Sequence, residues 1–141
     1  MIPHIGRVKH DPPYSYGDCL RAVIASMFEV DRMEDVPHFI HDGDDEQGMI
    51  RFKEYLWSRG FRPFYMAMPG TTPLNDIFAM MAAVNTNIEY LLFCRCTDAD
   101  HVVLCKNDQV IHDPAWVKSA ITGPSESSGN MWVIVVMVGE P

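Results

Sequence analysis

Residues 16–28 constrain this chain most, because a turn there leads directly into an apolar helix that begins with a cysteine. Gly17 permits a tight turn, and Asp18 is a residue type that favours the N-cap position of a helix. Apolar side chains then recur at helical spacing, at Leu20, Val23, Ile24 and Met27. The pattern places Cys19 in the first helical turn, where the helix dipole favours a thiolate. Cys19 is therefore a candidate nucleophile, and the competing interpretation is a cysteine that merely packs in the core.

Composition predicts a single folded domain, residues 1–141, and excludes several classes of function. The chain is 48% hydrophobic and 21% charged, which suits one globular core. Its net charge of −8, with 11 scattered Lys and Arg residues, argues against nucleic acid as a partner. Residues 1–6 lack a signal core, and the apolar run 132–138 is too short to span a membrane. We expect no membrane partner, and the four cysteines fit a reducing cytoplasmic location.

Helix signals come mostly before strand signals along the chain. Residues 1–16 contain three prolines and predict an extended arm, and residues 123–129 predict a flexible loop. Helices are expected over 19–29, over 46–59, and from Pro73, with that proline as the first helical residue. Strands are expected over 61–68, 88–96, 100–106, 109–113 and 131–138. Pro63 interrupts the first of them, which is therefore expected to be an edge strand or an irregular one. The order predicts an α+β domain with helices packed on an antiparallel sheet.

The segment 100–114 supplies chemical partners for Cys19. Two predicted strands meet there at a turn, and a three-residue loop, 106–108, would place His101 opposite Asp113 on one face. A two-residue turn would put them on opposite faces. With the longer loop, the Asp113 carboxylate holds one imidazole nitrogen of His101 while the other faces a thiol, as cysteine hydrolysis requires. Cys19, His101 and Asp113 are the predicted catalytic residues.

A zinc site is the competing arrangement. Cys94, Cys96 and Cys105 lie on neighbouring predicted strands, and His112 follows on the next one. Structural zinc usually binds cysteines that are separated by two to four residues, and the spacing here is one. We therefore expect these cysteines to be part of the core, and we expect no metal and no cofactor.

Four short motifs carry a resemblance to a known family. They are Gly17-Asp18-Cys19 opening a helix with Ala22, Ala25 and Ser26, then Val36-Pro37-His38-Phe39, His101-Val102-Val103, and His112-Asp113-Pro114. With them the chain resembles the papain-like cysteine peptidase superfamily, in particular bacteriocin-processing peptidases and related small phage and bacterial proteins. The resemblance implies a papain-like fold, with Cys19 as nucleophile, His101 as base and Asp113 as orienting residue. It implies a cysteine-dependent hydrolase, whether peptidase, isopeptidase or amidase, that forms a thioester with a peptide or other amide. Acyl- and aminotransferases use the same attack.

The chain departs from this superfamily at the oxyanion hole. Members usually carry a glutamine several residues before the cysteine, but the only glutamines here are Gln47 and Gln109. His10, Ser15 and Tyr16 are the arm side chains that could supply the missing donor, as could a backbone N–H. Loss of one such donor costs about 100- to 1000-fold in rate. The alternative function is therefore a catalytically weak or inactive papain-like binding module of phage or bacterial origin.

Overall fold

A computed structural model describes residues 1–97 and 99–140, and the fold class is α+β. Within these residues there are three α-helices, a one-turn 3-10 helix (Met33–Asp35) and six strands. The helices are α1 (Cys19–Met27), α2 (Asp45–Ser58) and α3 (Leu74–Val84). The strands are β1 (Phe61–Met68), β2 (Glu89–Cys96), β3 (Ala99–Lys106), β4 (Gln109–His112), β5 (Ile121–Pro124) and β6 (Trp132–Gly139). None of the described helices has the length and apolarity needed to cross a membrane.

The six strands form one antiparallel sheet with β2 at its centre. The order is β1-β6-β2-β3-β4, and β5 also pairs with β2. One side of β2 pairs with β3 along its whole length, and the other side pairs first with β6 and then with β5. β1 lies at the end of the order, which confirms the expected edge strand. Pro63 is tolerated there because an edge strand has a neighbour on one side only, so the N–H that proline lacks is not needed on the other side.

Three expectations about local structure need correction. Strand β5 lies partly where a flexible loop was expected. The loop was expected because Gly123 and Pro124 are poor strand formers, yet they pair with Arg95 and Cys94 of β2. Pro73 is the N-cap of α3 rather than its first helical residue. The arm is not extended throughout, since backbone hydrogen bonds between Asp11 and Ser15 close a turn within it.

The described residues group into two compact units. The first comprises residues 1–63, 114–116 and 138–140, and the second comprises residues 64–113 and 117–137. The single-domain expectation stays a prediction. In the first unit α1 is buried along most of its length, and Phe39 packs edge-on against Phe52 of α2, with ring centroids 5.5 Å apart.

The core of the second unit lies between α3 and one face of the sheet. Apolar side chains of α3, β2, β3 and β6 form one cluster: Ile77, Met81, Tyr90, Leu92, Cys94, Cys96, Val103, Cys105, Trp132 and Ile134. On β2 these are alternate residues, as expected when one face of a strand packs on a helix. The core face of β2 and β3 also carries His101, because His101 pairs directly with Cys94.

Candidate active site

Cys19 is the first residue of α1 and the one accessible cysteine of the four. It is half-buried, whereas Cys94, Cys96 and Cys105 are buried. Helix formation starts at this point, since the carbonyl of Asp18 accepts the first helical hydrogen bond, from Ala22 N–H at 3.0 Å. Cys19 therefore combines access with the positive end of a helix dipole.

Asp18 is the N-cap residue of α1, as expected, but its carboxylate does not cap the helix. Asp18 has φ −109° and ψ 31°, which is not the extended conformation of most N-cap residues, and its side chain makes no capping hydrogen bond. Its Oδ1 accepts hydrogen bonds from two N–H groups of the arm, those of Arg7 at 2.8 Å and Val8 at 3.0 Å. These distant donors take the oxygen that would otherwise bind the helix.

Of the three candidate oxyanion donors in the arm, His10 keeps a proton that it can donate and Ser15 does not. His10 Nδ1 accepts a hydrogen bond from Gly17 N–H at 3.2 Å. A neutral imidazole that accepts at Nδ1 carries its proton on Nε2, so His10 keeps a donor. The hydroxyl of Ser15 instead donates to the carbonyl of Lys9 at 2.5 Å. Ser15 therefore spends its only proton within the arm.

The third candidate, Tyr16, is held by the loop that follows α1. Its carbonyl lies 2.8 Å from His38 Nε2. Its ring lies over Gly43, where an added Cβ would fall 2.4 Å from ring carbons. Gly43 also has a positive φ of 74°, so both the close approach of the Tyr16 ring and the backbone conformation require a glycine there. His38 thus supports the turn that precedes Cys19, which gives the motif at residues 36–39 a physical role.

Gly6 is a site residue that the sequence did not reveal. It is buried, and a Cβ added to it would lie 3.7 Å from Cys19 Sγ and 2.9 Å from Asp18 Oδ1. Its N–H donates to the carbonyl of Pro114 at 2.9 Å, and Pro114 directly follows Asp113 in the chain. The only signal in the sequence is a glycine without the usual turn residues around it.

In the second unit, His101 of β3 and Asp113, the residue after β4, form the expected pair. His101 Nε2 lies 2.6 Å from Asp113 Oδ1, and the two side chains are only 10% and 16% exposed. The contact is confirmed, and the catalytic roles of the two residues remain predictions.

The route to this contact differs from the expected one, because the hairpin loop has two residues rather than three. Lys106 pairs with Gln109, which leaves Asn107 and Asp108 as the turn. Asn107 has a φ of 55°, in the left-handed region that such tight hairpin turns require. The predicted three-residue loop is wrong, and a regular hairpin with this turn would separate His101 and Asp113 onto opposite faces.

A β-bulge restores the shared face. The register of the β3–β4 pair shifts by one residue between Leu104 and Cys105, and Ile111 is the extra residue. Because side chains alternate between faces, one extra residue reverses the face of every residue beyond it. Asp113 therefore returns to the face of His101.

The other three cysteines are poor candidates for nucleophile or metal ligand. Cys94 lies directly opposite His101, but burial and neighbouring Cys96 raise the pKa of its thiol well above the ordinary range. Burial raises the pKa of Cys105 to about 12. In residues 1–97 and 99–140, no three His, Cys, Asp or Glu side chains are grouped so as to hold a metal ion, and this includes the competing zinc set of Cys94, Cys96, Cys105 and His112.

A scan against protein-family models, a search of curated proteins and a search of solved structures each found no match to this chain. The resemblance to papain-like peptidases therefore rests on its motifs. His101 and Asp113 come together within the second unit, and Cys19 lies in the first unit with the arm. The pairing of Cys19 with His101 stays a prediction.

Proposed function

We propose that the chain is a cysteine-dependent hydrolase of papain-like fold that cleaves a peptide or another amide through a thioester. Cys19 is the nucleophile, His101 the base and Asp113 the orienting residue. The observation that carries the proposal is the shielded 2.6 Å hydrogen bond between His101 and Asp113. A histidine held in this way is the orienting half of a hydrolytic triad. None of the four cysteines forms a disulfide, which suits a reducing compartment, and we propose the cytoplasm.

The hydrogen bond sets which nitrogen of His101 acts as base. Nε2 donates to the carboxylate of Asp113, so Nδ1 is the nitrogen that accepts the proton of the Cys19 thiol. The thiolate attacks the amide carbonyl carbon, and the imidazolium then protonates the leaving amine as the C–N bond breaks. Water, deprotonated by Nδ1, attacks the thioester and releases the acid and the thiol. Asp113 stabilises the imidazolium in both halves of the reaction.

Burial supports Cys19 as the nucleophile over a cysteine closer to the pair in sequence. Cys94 faces His101 across the sheet, but it is fully buried and its raised pKa keeps it a neutral thiol. A buried neutral thiol neither reaches a substrate nor attacks a carbonyl efficiently. Cys19 has access to solvent and lies at a helix start.

His10 is the proposed replacement for the missing glutamine donor. Its Nε2–H is available because Gly17 N–H fixes the tautomer from the other side of the ring. The backbone N–H at the start of α1 is the second proposed donor for the oxyanion. Ser15 is a weaker candidate since its hydroxyl already donates to Lys9.

A catalytically weak or inactive binding module is the second candidate function. The observation that favours it is the absence of glutamine from residues 1–18. A module of this kind keeps the cleft and binds a peptide or protein without cleaving it. It needs neither the thiol nor the imidazole, so the two functions predict different reactivity.

An activity-based probe with an electrophilic carbonyl tests the proposal. We expect the probe to label wild-type protein at Cys19 and to fail on both Cys19→Ala and His101→Ala. His41→Ala is the matched control, since His41 is an exposed loop histidine, and it should label like wild type. Labelling that survives His101→Ala would show a merely exposed thiol and would refute the hydrolase.

A further inference from the structure

The carboxylate of Asp18 is buried beside the nucleophile, and the helix does not account for it. The residue is 1% exposed. A buried carboxylate is costly unless hydrogen bonds and an opposite charge compensate it. Oδ1 has its two donors in the arm, and Oδ2 makes no hydrogen bond within the described residues. Asp18 must therefore gain its compensation from the arm and from a nearby cation.

Arg21 is that cation, and it is itself fixed. Its Nη1 lies 3.9 Å from Asp18 Oδ2, one helical turn along α1. Its Nε donates to two carbonyls beyond the helix, those of Met33 at 3.1 Å and Val36 at 2.7 Å. The arginine therefore cannot swing towards solvent without losing these bonds, and its charge stays beside the Asp18 carboxylate.

The arm is consequently held across the nucleophile. Two successive N–H groups, of Arg7 and Val8, are bound by one carboxylate oxygen whose own residue precedes Cys19. This brings the backbone of Gly6 so close that a methyl group there would meet Asp18 Oδ1 at 2.9 Å and approach Cys19 Sγ to 3.7 Å. A side chain at residue 6 would clash with Asp18 Oδ1, and its first carbon would lie in van der Waals contact with the sulfur.

We propose that Asp18 is a positioning residue, which fastens the arm over Cys19 so that the backbone of Gly6 forms one wall of the space where the sulfur meets an acyl group. The wall selects acyl groups that are narrow beside the reacting carbonyl. This consequence for substrates rests on the proposed hydrolase, whereas the wall itself does not. Asp18 acts through its hydrogen bonds to the arm.

The test compares a narrow with a wide thiol reagent at Cys19, using iodoacetamide and N-phenylmaleimide on the full chain. The measured quantity is the ratio of the two rate constants per folded molecule, wide over narrow. Hydrogen bonds to a charged group each shift the attached-to-detached equilibrium by about tenfold or more, so Asp18→Ala should raise this ratio by about tenfold or more. Asp18→Asn keeps an acceptor oxygen for both N–H groups but loses the charge, so it should raise the ratio less than Asp18→Ala does. The exposed Asp31 provides the control, and Asp31→Ala should leave the ratio unchanged.

Amide hydrogen exchange gives a second readout that needs no variant. In wild-type protein the N–H groups of Arg7 and Val8 should exchange more slowly than exposed amides, because both are bound to Asp18. A folded Asp18→Ala with an unchanged ratio would overturn the proposal, as would unprotected amides at these two residues or a ratio for Asp18→Asn as high as that for Asp18→Ala. Both reagents need only a thiol, so failure of the carbonyl probe would refute the hydrolase without affecting this result.

Discussion

Replacing Asp113 by asparagine removes one charge from the candidate site and almost nothing else. The amide oxygen of asparagine can occupy the position of Oδ1, 2.6 Å from His101 Nε2, and keep the ring oriented. The amide cannot stabilise the imidazolium that would form in the proposed mechanism, in which His101 takes the proton of Cys19. We therefore expect a folded protein whose Cys19 is less reactive at neutral pH.

The size of the effect follows from the hydrogen bond that changes. A hydrogen bond to a charged group contributes about 1.5–3 kcal/mol, and a neutral one about 0.5–1.5 kcal/mol. The midpoints differ by about 1.3 kcal/mol, which corresponds to about ninefold in rate. Solvent screening should reduce this little, since the side chains of His101 and Asp113 are only 10% and 16% exposed.

The assay is the rate of iodoacetamide alkylation at Cys19, measured by peptide mapping at neutral pH and corrected for the folded fraction. Asp108→Asn makes the same chemical change on the exposed turn of the same hairpin, and it should react like wild type. If Asp113→Asn unfolds the protein while each folded molecule reacts at the wild-type rate, Asp113 only ends a strand. A wild-type rate in a fully folded variant would equally refute its orienting role.

Two further predictions concern ionisation. Cys19 should be alkylated well before the other thiols, because burial raises the pKa of Cys105 to about 12 and that of Cys94 above its ordinary range; equal labelling of Cys19 and Cys94 after brief iodoacetamide treatment would contradict the nucleophile assignment. Burial acts to raise the pKa of Asp100, but hydrogen bonds from the hydroxyl and N–H of Ser127 outweigh it and bring that pKa below its ordinary value. The charged carboxylate therefore stabilises the fold at pH values above the unfolded-state pKa of about 3.9. This stabilisation is lost as the pH falls through the lower pKa of the folded state. Urea unfolding between about pH 5 and about pH 2 should therefore show a steeper loss of stability for wild type than for Asp100→Asn, and parallel losses would count against this role.

Local signals predicted most helices and strands because each depends on residues close together in the chain. Helix α2 is an example: Asp44 caps it by accepting Gln47 N–H at 3.0 Å, three residues along. Strand β5 was missed because its pairing with β2 outweighs the poor strand propensity of Gly123 and Pro124. Propensity describes a residue by itself. It does not account for the free edge that β2 offers beyond its pairing with β6, where β5 finds a partner.

In the candidate site, too, local signals predicted the residues, whereas pairing between strands decided the details. Cys19 at a helix start and the pairing of His101 with Asp113 were predicted from residue types and alternation. The loop was wrong by one residue, and the contact survives because the bulge at Ile111 adds that residue back. A bulge is a mismatch between two paired strands, and neither strand alone specifies it.

The sequence by itself determined the candidate residues, because Cys19, His101 and Asp113 are residue types suited to a nucleophile, a base and an orienting carboxylate and lie at the ends of local elements. Only the tertiary structure decided what Asp18 does. As a neighbour of Cys19 it is a standard helix cap, yet its oxygen binds the N–H groups of Arg7 and Val8 instead. Those donors lie ten and eleven residues away and reach the carboxylate only when the arm folds back, so local pattern cannot reveal which donor wins. The same folding back places Gly6 beside the sulfur, and the shape of the space around Cys19 is a property of the fold alone.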